Sequence, residues 1–277
     1  MKTIAIVAPS CRLTPETADR VAALAERLHP GRLALRFHAQ CFLSHNHFAG
    51  EDAERAAAFV EVANDPAVDA VWFARGGYGA GRMIEAVLPR LTDVARAKTY
   101  LGYSDGGVIL AALYAAGFGG VAHGPMPADI NREGGEGAVA RGLAWLVDRD
   151  PAALEPSVAG QPVAAFNITI LSALLGTPYQ PDLTRHVLML EEVSEHAYRI
   201  DRSLFHITSN PAMRRIGGIR LGRCSQIPSN DPDFGHQPEG IARFWCERSG
   251  IPYLGAADIG HDAANRVVPF GRGERRE

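Results

Sequence analysis

Residues 98–107 read Lys98-Thr99-Tyr100-Leu101-Gly102-Tyr103-Ser104-Asp105-Gly106-Gly107, a short apolar run that meets a glycine-flanked serine and then a helical pattern. This order predicts a strand, a sharp turn and a helix. The segment from Gly102 to Gly106 also fits the G-x-S-x-G nucleophile elbow, in which small neighbours let the backbone turn tightly and expose the serine hydroxyl. Serine is equally a favoured helix cap, and glycine-rich turns precede helices for structural reasons alone. The pentapeptide therefore leaves both a catalytic and a capping Ser104 open.

Strands and helices alternate on the amino-terminal side of this turn. Apolar runs at residues 3–8 and 68–74 predict buried strands, and Thr14-Pro15 supplies an N-cap followed by proline at the first helical position. A glycine-rich loop at residues 75–81 follows the second of these strands. Such alternation predicts a doubly wound, mostly parallel sheet, and ligands bind such sheets at the carboxyl ends of the strands.

The amino-acid composition and the secondary-structure pattern of the chain change after residue 150. Proline, glycine and polar residues are frequent just beyond that point, and short β-like runs with fewer long helical patterns follow. We therefore predict an N-terminal α/β domain at 1–150, a linker at 151–163 and a C-terminal mixed α+β domain at 164–277.

Composition narrows the function classes. The 277 residues carry a formal charge of -3 with both signs scattered along the chain, so there is no basic stripe for nucleic acid and no polybasic membrane patch. A small molecule or a peptide is the expected partner. The four cysteines lie far apart, which favours reduced thiols over a zinc site or a disulfide framework. The first apolar run is too short for a signal sequence, and we expect a cytoplasmic protein.

A serine nucleophile is weak at neutral pH and needs a general base, usually histidine, with an acid that orients its ring. Two of the ten histidines have suitable surroundings: His123 precedes Gly124-Pro125, and His261 lies in Asp258-Ile259-Gly260-His261-Asp262. His45 and His47, two residues apart in a polar loop, are interpreted as solvated rather than metal-binding. Spacing alone does not separate a catalytic His123 or His261 from a loop histidine.

Glu191 is the candidate for the orienting acid, because it follows the apolar run at 187–190. A buried unpaired carboxylate is costly, so Glu191 either has a partner or turns to solvent. The glycine loop at 75–81 lacks the Gly-Lys-Ser/Thr of a phosphate loop. Its exposed N–H groups would suit the negative oxygen of a tetrahedral intermediate, although a plain strand–helix connection fits the loop as well.

Several short motifs then appear in a recognisable order: Arg75-Gly76-Gly77-Tyr78-Gly79, Gly102-Tyr103-Ser104-Asp105, Leu190-Glu191-Glu192, Tyr198-Arg199-Ile200-Asp201-Arg202 and Gly260-His261. With them the chain resembles the serine LD-carboxypeptidases over nearly its whole length. The resemblance implies an α/β protein. Its N-terminal domain would be like flavodoxin and the class I glutamine amidotransferases, its C-terminal domain mixed α+β, and its active site in the cleft between the two.

The resemblance also implies roles for individual residues. Ser104 would be the nucleophile, His261 the general base and then acid, and Glu191 the group that orients the imidazole. The backbone N–H groups of Gly77 and Asp105 would form the oxyanion hole. The family's usual substrate is the murein tetrapeptide, which loses its terminal D-alanine during cytoplasmic cell-wall recycling. Its members need no metal or cofactor and are usually homodimers.

Three alternatives stay open at this point. The α/β-hydrolases share the chain order serine, acid, histidine, but no His-Gly-Gly-Gly segment is present. A microcin C immunity-type peptidase would hydrolyse peptidyl or aminoacyl nucleotides. An extra aromatic near the cleft that stacks on adenine would favour it, and Trp145 and Trp245 are candidates only because they are aromatic. A non-catalytic peptide or sugar binding module is the third. For substrate carboxylates, Arg199 and Arg202 are candidate ligands, with structural ion pairs as the competing role.

Overall fold

The computed structural model describes residues 1–272, and its strands form two sheets. The strands are β1 (Lys2–Val7), β2 (Leu33–Phe37), β3 (Ala70–Phe73), β4 (Thr99–Gly102), β5 (Val121–His123), β6 (Pro162–Asn167), β7 (Val187–Val193), β8 (Gly218–Ser225), β9 (Tyr253–Ala256), β10 (Val268–Pro269) and β11 (Gly271–Arg272). The helices are α1 (Pro15–Leu28), α2 (Asp52–Asn64), α3 (Ile84–Val87), α4 (Asp93–Arg96), α5 (Gly107–Ala115), α6 (Gly135–Asp148), α7 (Ile168–Leu174), α8 (Ala197–Ser209) and α9 (Pro238–Ser249).

The first sheet has the order β10-β5-β4-β3-β1-β2. Strands β1 to β5 are parallel to one another, and helices connect them, as the alternating pattern predicts. Thr14 caps α1 by accepting from the N–H of Thr17, with proline in the first turn, so the predicted helix start is confirmed. The predicted strand, turn and helix around Ser104 are β4, a short 3₁₀ turn and α5.

The second sheet has the order β11-β6-β7-β8-β9. The predicted α/β class is confirmed, and the second sheet is more regular than the expected α+β mixture. Strands β6 to β9 are all parallel, and only β11 is antiparallel to its neighbour. Helix α7, which connects β6 to β7, has just seven residues, so its helical period is too short to recognise in the sequence.

The end of the chain returns to both sheets. Strand β10 pairs antiparallel with β5 of the first sheet, and β11 pairs with β6 of the second. Strand β6 begins at Pro162, inside the segment expected to be a linker. The division at residues 151–163 stays a prediction, and residues 273–277 of the expected C-terminal domain lie outside the described part. No helix within residues 1–272 is both long enough and apolar enough to cross a membrane.

The core around β3 and β4 predicts a contrast between two tryptophans. Trp72 is fully buried, and its indole N–H donates to the Pro125 carbonyl at 2.7 Å. The indole N–H of Trp245 is also out of contact with solvent but has no acceptor among residues 1–272. We expect Trp72→Phe to lower the free energy of unfolding by about 2–4 kcal/mol, because it leaves a buried carbonyl unpaired and opens a cavity.

Trp245→Phe loses no hydrogen bond, and we expect it to change the free energy of unfolding by less than about 1 kcal/mol. Urea unfolding of both variants, followed by far-ultraviolet circular dichroism, measures the two values. Equal losses in the two variants would show that the Trp72 hydrogen bond contributes nothing.

Candidate active site

The glycines around Ser104 are required by close packing. Ser104 has a φ of 57°, in the left-handed region that serine rarely adopts. A Cβ at Gly102 would lie 2.4 Å from the Phe73 ring, and one at Gly106 would lie 2.8 Å from it. A Cβ at Gly76 would lie 2.9 Å from the Ser104 hydroxyl oxygen. Glycine at these positions lets the turn sit tightly on β3 and leaves the serine partly exposed at the carboxyl end of β4.

The structure brings Ser104, His261 and Glu191 together in one hydrogen-bonded chain. The Nε2 atom of His261 lies 3.0 Å from the Ser104 Oγ, and its Nδ1 atom lies 2.6 Å from Glu191 Oε2. An ionised carboxylate only accepts hydrogen bonds, so with Glu191 ionised the neutral imidazole donates from Nδ1 and accepts the serine proton at Nε2. Ser104 follows β4 of the first sheet. Glu191 lies in β7 of the second sheet, and His261 follows β9 of the second sheet. The chain of hydrogen bonds therefore joins the two sheets.

Burial affects the protonation of Glu191 and the environment of its hydrogen bond to His261. Glu191 is 0% exposed and His261 is 7% exposed. Burial raises the pKa of the Glu191 carboxyl above its usual value, and the neighbouring His261 opposes that rise. The second oxygen of Glu191 has no partner within residues 1–272. Of the two Glu191 oxygens, Oε2 thus makes the contact with His261.

The adjacent Glu192 has a different environment. Its two oxygens accept hydrogen bonds from Asn167 Nδ2 at 2.5 Å, from the N–H and hydroxyl of Thr169 at 3.0 and 2.8 Å, and from the Val193 N–H at 2.9 Å. The pairing of β7 with β8 shifts register between Leu190 and Glu192, and both glutamates are buried. Glu192 thus anchors the start of α7, and Glu191 alone reaches the histidine.

The glycine loop after β3 is fixed beside Ser104. Gly77 has a φ of 119°, and a Cβ there would lie 2.3 Å from the Cys11 sulfur. The buried Asp105 carboxylate accepts from Ser10 Oγ at 2.5 Å and from the Ala80 N–H at 2.8 Å. Burial raises the pKa of the Asp105 carboxyl, and these two hydrogen bonds act against that rise. The Gly77 N–H has no acceptor within residues 1–272, so this loop offers a free donor close to the serine.

Two family models match the two halves of the chain. Residues 4–124 match the LD-carboxypeptidase N-terminal domain, and residues 162–274 match the LD-carboxypeptidase C-terminal domain. The chain belongs to the LD-carboxypeptidase family. It is therefore a peptidase, and the resemblance seen in the sequence motifs is confirmed.

Individual relatives cover almost the whole chain. The murein tetrapeptide carboxypeptidase of Pseudomonas aeruginosa is 26% identical over 97% of this chain and 91% of its own length. The crystal structure of muramoyltetrapeptide carboxypeptidase from Oxalobacter formigenes superimposes with a TM-score of 0.79 at 23% identity, covering 98% of this chain and 93% of that one. The microcin C7 self immunity protein MccF, in complex with aspartyl sulfamoyl adenosine, gives a TM-score of 0.78 at 18% identity, with 98% and 91% covered. These structural likenesses establish the fold.

Two arginines that the sequence analysis did not single out hold the loop that carries His261. Arg223 binds both ends of that loop, with its Nη1 atom 2.6 Å from Asp258 and its Nη2 atom 2.9 Å from Asp262. Arg132, from the N-terminal half, donates to the His261 carbonyl at 2.6 Å. Each contact joins residues far apart in sequence, so no local pattern could have revealed them.

His123 is not part of the hydrogen-bonded chain. It is buried at the end of β5, where its Nε2 atom lies 3.2 Å from Asn265 Oδ1, and that oxygen also accepts from the Gly260 N–H at 3.2 Å. The Tyr103 ring lies between the two histidines, with its centroid 5.5 Å from that of His123 and 4.9 Å from that of His261. His123 and Asn265 thus stabilise the backbone next to His261 through the hydrogen bond to the Gly260 N–H.

The remaining candidates lie elsewhere. Arg199 lies 3.7 Å from Glu195 and contacts its neighbour Tyr198, and the Arg202 guanidinium lies 5.4 Å from the Tyr198 ring centroid. Both arginines are therefore engaged on the surface of α8. The two tryptophans are packing residues: Trp145 is buried in the N-terminal core beneath the guanidinium of Arg149, and Trp245 packs between Phe205 and Phe244. Of the loop histidines, His47 contacts the Cys11 sulfur at 3.3 Å, and His45 lies 3.9 Å from Glu51.

The environment of His123 predicts an acid-dependent loss of stability. Burial lowers the pKa of His123 from 6.5 to about 4, so the folded protein binds no proton there between these values while the unfolded chain does. The free energy of unfolding should therefore fall as the pH drops from 6.5 toward 4, by up to about 3 kcal/mol from this residue.

His123→Gln removes the titrating group and keeps a donor for Asn265. Urea unfolding at pH 7 and at pH 4.5 should show a smaller pH-dependent loss in this variant than in the parent. An unchanged difference between the two pH values would assign the acid sensitivity to other groups.

Proposed function

We propose that this peptidase is a serine-type LD-carboxypeptidase that removes the terminal D-alanine from murein tetrapeptide. The observation that carries the proposal is the hydrogen-bonded chain from Ser104 through His261 to the buried Glu191. The serine sits on a strained turn beside a loop with a free N–H donor, which is the arrangement that acyl transfer requires. The name of the Pseudomonas relative supports the substrate.

The proposed reaction has two halves. His261 Nε2 accepts the Ser104 proton as Oγ attacks the carbonyl carbon at the L-centre of the diamino acid, and Glu191 stabilises the imidazolium that forms. The N–H groups of Gly77 and Asp105 bind the oxygen that becomes negative. His261 then gives its proton to the amine of the departing D-alanine, and a water activated by the same histidine hydrolyses the acyl-enzyme.

The biological setting is part of the proposal. A tetrapeptide without its terminal D-alanine is a product of cell-wall turnover, and we place the reaction in cytoplasmic peptidoglycan recycling. Homodimerisation, implied by the family resemblance, likewise stays a prediction.

The nucleophile can be tested directly. Purified parent protein should release free D-alanine from murein tetrapeptide, detected by mass spectrometry. Ser104→Ala should reduce kcat by at least about 10³-fold, because the acyl-enzyme cannot form. A fluorophosphonate probe should label the parent at Ser104 and leave the variant unlabelled. Absence of both release and labelling would favour a non-catalytic binding module.

The two neighbouring glutamates provide a matched pair for the orienting acid. Glu191→Gln should lower kcat by about 10³- to 10⁴-fold while the protein stays folded, because the amide no longer fixes the imidazole tautomer. Glu192→Gln loses charge-assisted hydrogen bonds at the start of α7 instead, so it should lower the free energy of unfolding by about 1–3 kcal/mol. Steady-state kinetics and urea unfolding of both variants separate the effects. Comparable kcat values in the two variants would remove Glu191 from the mechanism.

The nucleotide-linked alternative has weaker support in the site. Its candidate aromatics, Trp145 and Trp245, pack against other residues of their own regions and provide no stacking surface beside Ser104. If the parent reacts with the serine probe but leaves murein tetrapeptide intact, aminoacyl nucleotides are the next substrates to assay.

A further inference from the structure

An enzyme that removes one terminal residue must distinguish a free carboxylate from a continuing peptide chain. This inference rests on the proposed carboxypeptidase function. Arginine suits the task because its planar guanidinium binds a carboxylate through two parallel hydrogen bonds. An arginine near Ser104 without a protein partner would be free to bind such a carboxylate.

The arginines around His261 are already engaged. Arg132 binds Asp129 as well as the His261 carbonyl, and Arg223 binds two aspartates of the same loop. Arg141 donates to the carbonyls of Ala263 and Asn265. Their guanidinium groups are therefore committed to holding the loop.

Two arginines beside the serine are different. The side chains of Arg12 and Arg75 are exposed, and neither makes a hydrogen bond, ion pair or ring contact with any residue in 1–272. Arg75 directly precedes Gly76, whose Cβ position would be 2.9 Å from Ser104 Oγ. Arg12 directly follows Cys11, whose N–H lies 3.4 Å from the Gly76 carbonyl oxygen. The two loops that carry these arginines therefore meet at Gly76.

Their positions follow from the sheet. Strands β1 and β3 are parallel neighbours, so the loops that follow them emerge at the same edge, where β4 delivers Ser104. Adjacent Cα atoms are about 3.8 Å apart, and the long arginine side chain extends well beyond that. The Arg75 guanidinium can therefore reach a group bound at the serine.

We propose that Arg75 binds the C-terminal carboxylate of the peptide, with Arg12 adding positive charge from the neighbouring loop. The carboxylate of the departing residue is separated from the scissile nitrogen by a single carbon, so it must lie close to Ser104 when the bond is attacked. Tyr78, two residues beyond Gly76, is 59% exposed and forms an aromatic wall with His47 and Phe48.

The test compares two substrates that differ only at the terminus. Murein tetrapeptide ending in D-alanine and the same peptide ending in D-alaninamide are assayed with the parent and with Arg75→Gln. The parent should prefer the acid by about 10- to 100-fold in kcat/KM, since a charge-assisted interaction is lost with the amide. Arg75→Gln should lower kcat/KM for the acid by a similar factor and leave the amide nearly unchanged.

Two further variants complete the design. The Arg90 side chain is also exposed and unpaired within the described residues. Its carbonyl accepts from Asn64 at the end of α2, so it lies toward the other edge of the sheet. Arg90→Gln should therefore leave the preference intact. Arg75→Lys keeps the charge without the planar fork, and it should restore part of the preference.

The outcomes are separable. A parent that cleaves acid and amide equally, or an Arg75→Gln variant impaired equally on both, would overturn the carboxylate role while the proposed function stands. Failure of the parent to cleave either peptide would overturn the proposed function and this inference together.

Discussion

The hydrogen bond between Ser104 Oγ and His261 Nε2 connects two loops that follow strands of different sheets. Its length therefore depends on how the two sheets are fixed to one another. The end of the chain supplies part of that connection: β10 pairs with the first sheet and β11 with the second, and only Phe270 separates them. The Phe270 ring packs edge-on against Phe166 of the second sheet and Tyr114 of α5. The five residues 268–272 thus connect the sheet next to Ser104 with the sheet that carries Glu191.

Burial places an energetic cost on the same hydrogen-bonded chain. The folded-state pKa of Glu191 is raised by burial above the value of an unfolded chain. This group therefore contributes most to stability below its unfolded pKa, and that contribution is lost as the pH rises through its folded pKa. At neutral pH an ionised Glu191 works against folding, because the effect of burial exceeds the stabilisation that His261 and Asn167 give the charge. Burial of the large apolar core offsets this unfavourable free energy.

The sequence allowed much of this arrangement to be predicted, for physical reasons that differ among residues. The strand, turn and helix at Ser104 were predictable because apolar periodicity and glycines act locally. Local spacing did not separate His123 from His261, since both lie beside glycine, and only the family resemblance pointed to His261. What separates them is that His123 lies beneath Tyr103 at a strand end, while His261 lies on a loop across from the serine. Arg132 and Arg223 could not be predicted at all, because their partners lie 129, 35 and 39 residues away.

Asp105 explains why the loops at the edge of the first sheet act as one unit. Its backbone N–H is one of the two that we propose for the oxyanion hole, while its carboxylate binds Ser10 in the loop after β1 and Ala80 in the loop after β3. Three consecutive strand ends of the sheet, those of β1, β3 and β4, therefore meet at one buried carboxyl group. Arg12 and Arg75 lie on the first two of these loops. The Asp105 hydrogen bonds therefore fix the backbone of both arginines relative to Ser104. A recognition group for the terminal carboxylate is best placed on loops held in this way, because the attacked carbonyl must align with both the serine and the anion site at once.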